Sequence, residues 1–515
     1  MYFRYGNSHG NGSCVGSRSC VSSCILLSCT FEFLKLSRMK YSEIKPSSSP
    51  ESNPRSHRLQ GPECSRDAEQ NQTCYPPENP LKLIGEGEIP TGYVHPGEQQ
   101  CGEADAVFLG TVQSPRREAH IRRWQSPSTS LPDLSLRMRH SLVFSPSPFF
   151  QNQVIYLNRV TLIWFQDVGI PEQWGFLLNQ VTPFTLDTPD GETLHAWHIL
   201  PLGLYQKHEQ RLVEEPSGIA PDISKTLGFE LLRDDPDAPL VIYLHGAAST
   251  LGSGWRPASY RAIYAASPRN IHTVAIDYRG FGASSGTPSE EGLLTDALTL
   301  VNWALKEARI PPSRIVIFGQ SLGTAVGIAL TEYLAALPQP ILLSGMVLVA
   351  PFADVELLTA TYRVAGTIPL LDPLAHFPCL LALLNTFILS TWPSKDKLAS
   401  FIRRVESLPD DGARYHINII HAEDDYDIPW SHSEQVFWHA ANAATPMGIS
   451  YEDLEKEKES NKQHLGAGGW VATKQGKRGL IREEIVKWGL HDKVMSYPVV
   501  SLAILRAFEA GEAGN

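Results

Sequence analysis

The chain has 515 residues, 44 Lys+Arg against 55 Asp+Glu, a formal charge of −11 at pH 7 and 42% hydrophobic residues. That acidic balance disfavours a dedicated nucleic-acid binder, which carries a basic footprint. No run reaches the roughly 18–20 apolar residues of a spanning helix, which excludes a polytopic membrane protein.

Length alone suggests about three domains, but residues 1–150 read as a disordered tail. Lys45-Pro46-Ser47-Ser48-Ser49-Pro50 and Ser126-Pro127-Ser128-Thr129-Ser130 are rich in residues that build no core. Cys14, Cys20, Cys24, Cys29, Cys64, Cys74 and Cys101 all precede residue 102, and Cys379 alone follows. Their spacings lack histidines at zinc-finger distance, so the bulk of the chain reads as a reduced, intracellular protein. The island Cys24-Ile25-Leu26-Leu27 is too brief for a span and lacks the cleavage context of a signal peptide.

Residues 151–181 follow as an apolar docking or membrane-interface segment, with Val154-Ile155-Tyr156-Leu157 and Val160-Thr161-Leu162-Ile163-Trp164-Phe165. Periodicity does not separate a segment resting at an interface from one docking on a core.

From Thr182 the pattern becomes orderly, and a domain over 182–510 is expected. Phe184-Thr185-Leu186 and Leu194-His195-Ala196-Trp197-His198-Ile199 flank Pro189-Asp190-Gly191, a hairpin signal. A polar stretch of helical character runs to Arg233. Short β-branched runs at 240–244, 273–276, 315–318, 346–349 and 417–420 then alternate with helical stretches such as 290–306 and 322–336. This order predicts an α/β fold with a mostly parallel sheet covered on both faces.

The strongest chemical signal is Gly319-Gln320-Ser321-Leu322-Gly323, between the strand at 315–318 and the next helix. A sharp strand-to-helix turn lifts a serine hydroxyl into the open, and small residues two before and two after let the backbones approach. The Leu322 amide then sits at a helix N-terminus, where negative charge is favoured. His245-Gly246-Ala247, ending the strand at 240–244, can supply a second oxyanion donor, the Ala247 amide, with His245 itself structural. Asp277-Tyr278-Arg279-Gly280-Phe281-Gly282 is not a dinucleotide loop, because Ser285 stands where a third glycine belongs and no helix opens after it.

A nucleophilic serine needs a base, and the base needs an orienting acid; after such an elbow the order is serine, acid, histidine. His421-Ala422-Glu423-Asp424-Asp425-Tyr426-Asp427-Ile428-Pro429 follows the strand at 417–420. Side chains in such a row diverge and show no calcium-loop spacing, which sets a metal site aside. Asp425, four residues before Pro429, is the expected acid; Asp424 and Asp354 are its rivals. His432 and His439 fall on the helix after the acid and His464 in a polar insertion. His491, between the last strand and the last helix, can return over the serine and is the expected base.

Together these residues resemble the α/β-hydrolase superfamily. Within it, Asp277-Tyr278-Arg279-Gly280-Phe281-Gly282, Gly286-Thr287-Pro288-Ser289-Glu290, Gly319-Gln320-Ser321-Leu322-Gly323-Thr324 and His421-Ala422-Glu423-Asp424-Asp425 look like the α/β-hydrolase domain-containing protein 12 family, over roughly residues 160–508. The resemblance implies an eight-stranded, mostly parallel sheet with a helical lid after strand 6, here at 352–413. It implies Ser321 as nucleophile, Asp425 as acid, His491 as base and the amides of Ala247 and Leu322 as oxyanion donors. The branch includes lysophosphatidylserine and monoacylglycerol lipases. Its animal members carry an N-terminal spanning helix, where this chain offers only the apolar segment at 154–165, and the insertion at 448–478 is longer than theirs.

Leu370, Leu371, Phe377, Leu380, Leu381, Leu383, Leu384, Phe387, Ile388 and Leu389 in the lid suit either an acyl chain or ordinary core packing. Lys395, Lys397, Arg403 and Arg404 nearby suit an anionic head group or scattered surface charge. The expected protein is a serine hydrolase of lysophospholipids or monoacylglycerols that needs no metal or organic cofactor and binds no nucleic acid. It would associate peripherally with a membrane, at the endoplasmic reticulum or another intracellular membrane, with the cytoplasm as second choice. A soluble carboxylesterase, thioesterase or acyl-peptide hydrolase remains open, as does a non-catalytic membrane scaffold.

Overall fold

Runs that are apolar at nearly every position become the middle of one sheet, because parallel strands bury both faces. The computed structural model describes residues 148–513 apart from 161–164, 266–269, most of 365–384, and 410, 411 and 413. The tail to residue 147 with its seven cysteines, Cys379, and Leu370, Leu371, Phe377, Leu380, Leu381 and Leu384 of the lid lie outside the described residues.

In chain order the strands are β1 Val181–Asp187, β2 Thr193–Ile199, β3 Leu240–Leu244, β4 His272–Ile276, β5 Ile315–Gln320, β6 Gly345–Val349, β7 Arg363–Val364, β8 Ile368–Pro369, β9 Tyr415–Ala422, β10 Gln463–His464, β11 Gly469–Gln475 and β12 Gly479–Val486. Ten of them form one sheet in the order β1-β2-β4-β3-β5-β6-β9-β12-β11-β10, while β7 and β8 pair separately. The run from β4 through β3, β5, β6 and β9 to β12 is parallel, and both flanks are antiparallel. Side chains alternate between two cores. Ile242, Ile317 and Leu348 meet the helices Glu290–Lys306, Leu322–Ala335, Ser394–Glu406 and Ser431–Ala444 on one face. Tyr243, Phe318 and Val347 meet the helices Arg256–Ala265 and Pro498–Ala513 on the other.

The hairpin at Pro189-Asp190-Gly191 forms as expected, with Gly191 at φ 91° and Arg279 gripping Asp190 at 2.7 Å. Three expectations need correction. The sheet has ten strands rather than eight, because the insertion at 448–478 adds β10 and β11 to the sheet edge. The span 352–413 is not all lid, because the helix Ser394–Glu406 packs Leu398, Phe401 and Ile402 into the core. Lys395 and Lys397 are not free for a head group, being paired with Asp354 and Glu290 respectively. In the segment 151–181, Tyr156 is fully buried and its hydroxyl donates to Ser390 Oγ at 2.9 Å, so this stretch docks on the core. Phe165 beyond it is 99% exposed.

The insertion is anchored by a buried cluster. Lys458, on the helix Tyr451–Asn461, lies 3.1 Å from Glu483 of β12 and 3.0 Å from Glu455, over the rings of Phe437 and Trp470. Burial pushes the Glu483 carboxyl up to about 7 despite Lys458. The folded value lies above that of a free carboxyl (about 4.3), so the folded state holds the extra proton across that window. This group's contribution to stability therefore falls as pH rises towards 7. The urea midpoint is expected to drop more steeply between about pH 5 and pH 8 in the wild type than in Glu483→Gln; parallel pH profiles would remove this carboxyl from the account.

Candidate active site

β5 ends at Gln320 and the helix Leu322–Ala335 begins two residues later, so Ser321 carries the whole chain reversal. Its φ of 52° and ψ of −118° lie where side chains are strained, at a cost of about 1–3 kcal/mol. The turn is possible because of its glycines. A Cβ on Gly323 would stand 1.9 Å from the Leu244 carbonyl oxygen, and one on Gly319 2.5 Å from that of Gly323. The Ser321 amide donates to the Val349 carbonyl at 2.9 Å, and Thr324 Oγ1 donates to the Ser321 carbonyl at 2.6 Å.

The loop after β3 lies directly against this elbow: a Cβ on Gly246 would stand 3.2 Å from Ser321 Cβ. Among the described hydrogen bonds, the amides of Ala247 and Leu322 have no protein partner, whereas the neighbouring amide of Ala248 donates to the Tyr156 carbonyl at 2.9 Å. Two uncommitted amides beside a serine can receive a developing oxyanion. His245 is fully buried, with Nδ1 2.7 Å from the Gly246 carbonyl and Nε2 3.4 Å from Asp277, and burial lowers its pKa.

Asp425 follows β9 and His491 follows β12, and both loops leave the same carboxyl end of the sheet as Ser321, where open α/β sheets place their ligands. Asp425 Oδ2 lies 2.8 Å from His491 Nδ1 and 2.9 Å from His421 Nε2. Its Oδ1 accepts the amides of Asp427 and Ile428, both at 2.9 Å. Burial disfavours the Asp425 charge, yet His491 and His421 outweigh it and hold the carboxyl well below the usual carboxylate range. Burial likewise opposes a charged His491, and Asp425 outweighs it, so the imidazole's pKa is raised. His491 exposes only 12% of its side chain. Ser321 and His491 are not hydrogen-bonded to each other among the described residues; such bonds commonly tighten only once substrate is bound. The Gln320 side-chain amide ties the two loops, reaching the His491 carbonyl at 3.4 Å and Asp492 Oδ1 at 3.3 Å.

The rival acids do other work. Asp424 Oδ1 accepts the amides of Gly489 at 2.7 Å and Leu490 at 2.8 Å, bracing the loop that carries His491. Asp354 caps the helix Val355–Thr361 through the Leu357 amide and pairs with Lys395. The rival histidines are also occupied elsewhere. His432 is buried between the Ala353 amide and Thr361 Oγ1, its pKa pushed down to about 4 by burial. His439 lies 3.6 Å from Asp396, and His464 is exposed on edge strand β10.

The structure adds His421, which the sequence reading treated only as one of a row of polar residues. Its Nε2 faces both Asp425 and the Ile428 carbonyl (3.0 Å), so that nitrogen carries the proton, and Nδ1 faces Ser433 Oγ at 2.6 Å. The signal was present in the i, i+4 spacing of His421 and Asp425 across a strand end.

A family model described as the alpha/beta hydrolase family matches residues 241–453, a stretch that includes Ser321 and Asp425 and stops short of His491. Protein ABHD12B from Homo sapiens is 31% identical over 298 residues, covering 57% of this chain and 70% of its own length. Lysophosphatidylserine lipase ABHD12 from Xenopus tropicalis is 27% identical over 299 residues, covering 58% and 67%. That from Danio rerio is 29% identical over 215 residues, covering 42% and 50%. The chain thus spans about half the length of several curated relatives that it matches.

Proposed function

We propose that this chain, which belongs to the α/β-hydrolase family alongside ABHD12 and ABHD12B, is a serine hydrolase of lipid esters with one acyl chain, lysophospholipids or monoacylglycerols. The observation that carries the reading is the buried Asp425–His491 pair at the strand ends beside a strained Ser321 and two uncommitted amides. Ser321 Oγ attacks the ester carbonyl carbon while His491 Nε2 takes its proton, and Asp425 stabilises the imidazolium that forms. The oxyanion is received by the amides of Ala247 and Leu322. Collapse breaks the ester C–O bond, His491 protonates the leaving alcohol, and the acyl group remains on Ser321. His491 then deprotonates a water, whose attack releases the fatty acid and restores the serine.

An apolar rim supports a lipid substrate. Tyr426 follows Asp425, Trp488 and Leu490 precede His491, and the three are 62%, 59% and 47% exposed. The ABHD12 relatives are named as lysophosphatidylserine lipases, which makes lysophosphatidylserine the first substrate to try. In this reading residues 182–510 are the catalytic domain and 151–181 dock upon it. The enzyme works as a peripheral protein at the surface of an intracellular membrane, the endoplasmic reticulum first among them, because its substrates reside there. Purified protein supplied with lysophosphatidylserine, monoolein and p-nitrophenyl butyrate is expected to release fatty acid from a lipid at the highest kcat/KM. A clear preference for the soluble butyrate would replace the lipase reading with a carboxylesterase.

A further inference from the structure

Arg256 opens the helix Arg256–Ala265, and its side chain runs back into the protein, where only 6% of the residue is exposed. Its guanidinium meets no carboxylate in an ion pair among the described residues. Instead Nη2 faces the carbonyls of Gly246 at 2.9 Å, Ala247 at 2.9 Å and Ala248 at 3.0 Å, sharing its two N–H groups among the three, and Nη1 donates to that of Thr250. A buried cation is costly unless every donor is engaged, and here its partners all belong to the one loop that carries the Ala247 amide.

That loop is otherwise unfavourable. Ala248 and Ser249 hold φ of 66° and 59°, the left-handed region that non-glycine residues avoid. The conformation turns successive carbonyls towards a common centre. Without a cation there, the carbonyls of Ala247 and Ala248 would be left without a partner among the described hydrogen bonds, and that of Gly246 with His245 Nδ1 alone. The other restraints on the loop hold its amides or its far end rather than the carbonyls of Ala247 and Ala248: the Ala248 amide donates to the Tyr156 carbonyl at 2.9 Å, Asp277 accepts the Leu251 amide at 2.7 Å, and Tyr260 donates to the Leu251 carbonyl at 2.9 Å.

We infer that Arg256 is a positioning residue for the oxyanion hole, its guanidinium gathering the carbonyls of residues 246–248 so that the Ala247 amide is held towards Ser321. The inference rests on the serine-hydrolase reading above. The planar fork matters as well as the charge, because Nη1 and Nη2 engage different carbonyls and an ammonium is a single point.

The test compares wild type, Arg256→Lys and Arg256→Met on p-nitrophenyl butyrate, with active sites counted by fluorophosphonate labelling carried to completion. Per active site, kcat is expected to fall by roughly 10²-fold in Arg256→Met, the scale of losing one oxyanion donor, with KM within about threefold of wild type. Arg256→Lys should fall between. A trifluoromethyl ketone, whose carbonyl carbon adds Ser321 Oγ to form a hemiketal with its oxygen in the hole, should lose affinity in parallel with kcat. An unchanged kcat per site, or a rise in KM alone, overturns the inference, and so does failure of both variants to fold, which would make Arg256 a folding residue. Wild-type protein that neither labels nor turns over would instead sink the serine-hydrolase reading itself.

Discussion

Ser321→Ala is expected to abolish fluorophosphonate labelling and lower kcat/KM for ester hydrolysis by roughly 10⁴–10⁶-fold, the range expected when a nucleophile is removed from an otherwise intact site. The residual rate would come from the amides of Ala247 and Leu322 and from binding, which the substitution leaves in place. Folding should be little affected, since Ser321 Oγ makes no hydrogen bond among those described and the backbone bonds of the elbow, Ser321 N to Val349 O and Thr324 N to Ser321 O, survive. Alanine also meets the same strain at φ 52° that serine does. A thermal midpoint near that of wild type, with labelling gone, assigns the nucleophile. Labelling that persists in the variant would move the reactive residue elsewhere, and retained turnover would show that Ser321 is not the nucleophile.

The strand pattern was legible because five parallel strands are buried on both faces and so read as unbroken apolar runs; 240–244 and 290–306 match the observed elements to the residue. The edge was not legible. β10 and β11 come from a polar insertion in which β11 is held by backbone pairing to β12, β10 by pairing to β11, and the preceding helix by the contact of Lys458 with Glu483, none of which leaves a hydrophobic period. Asp425 could be favoured over Asp424 only by its distance from Pro429; the physical difference lies in where each side chain turns. Asp425 points to two histidines, and Asp424 to the amides of the next loop. Arg256 shows the limit most plainly. Its partners are four carbonyl oxygens, and every residue has one, so no residue type in the sequence marks them.

Asp425→Asn is the sharper test of the site, because it keeps volume and changes only charge and hydrogen-bond direction. The carboxylate receives His491 Nδ1–H, which leaves Nε2 free to accept the serine proton. An amide presenting its NH₂ group there would favour the opposite tautomer, and kcat is expected to fall by about 10⁴-fold near neutral pH. The pH profile carries the second signature. Asp425 raises the pKa of His491, so the neutral base is lost as pH falls through that raised value. In Asp425→Asn the acidic limb of kcat/KM should shift to lower pH, because the protonated imidazole has lost its partner. Asp424→Asn keeps a carbonyl oxygen for the amides of Gly489 and Leu490, and should cost less than about tenfold with no shift of the limb. His421→Gln, which removes one of the two imidazoles on the carboxylate, should fall between them. If Asp424→Asn were the damaging change and Asp425→Asn the mild one, the acid would be Asp424, and the 2.8 Å contact between Asp425 and His491 would be a structural bond alone.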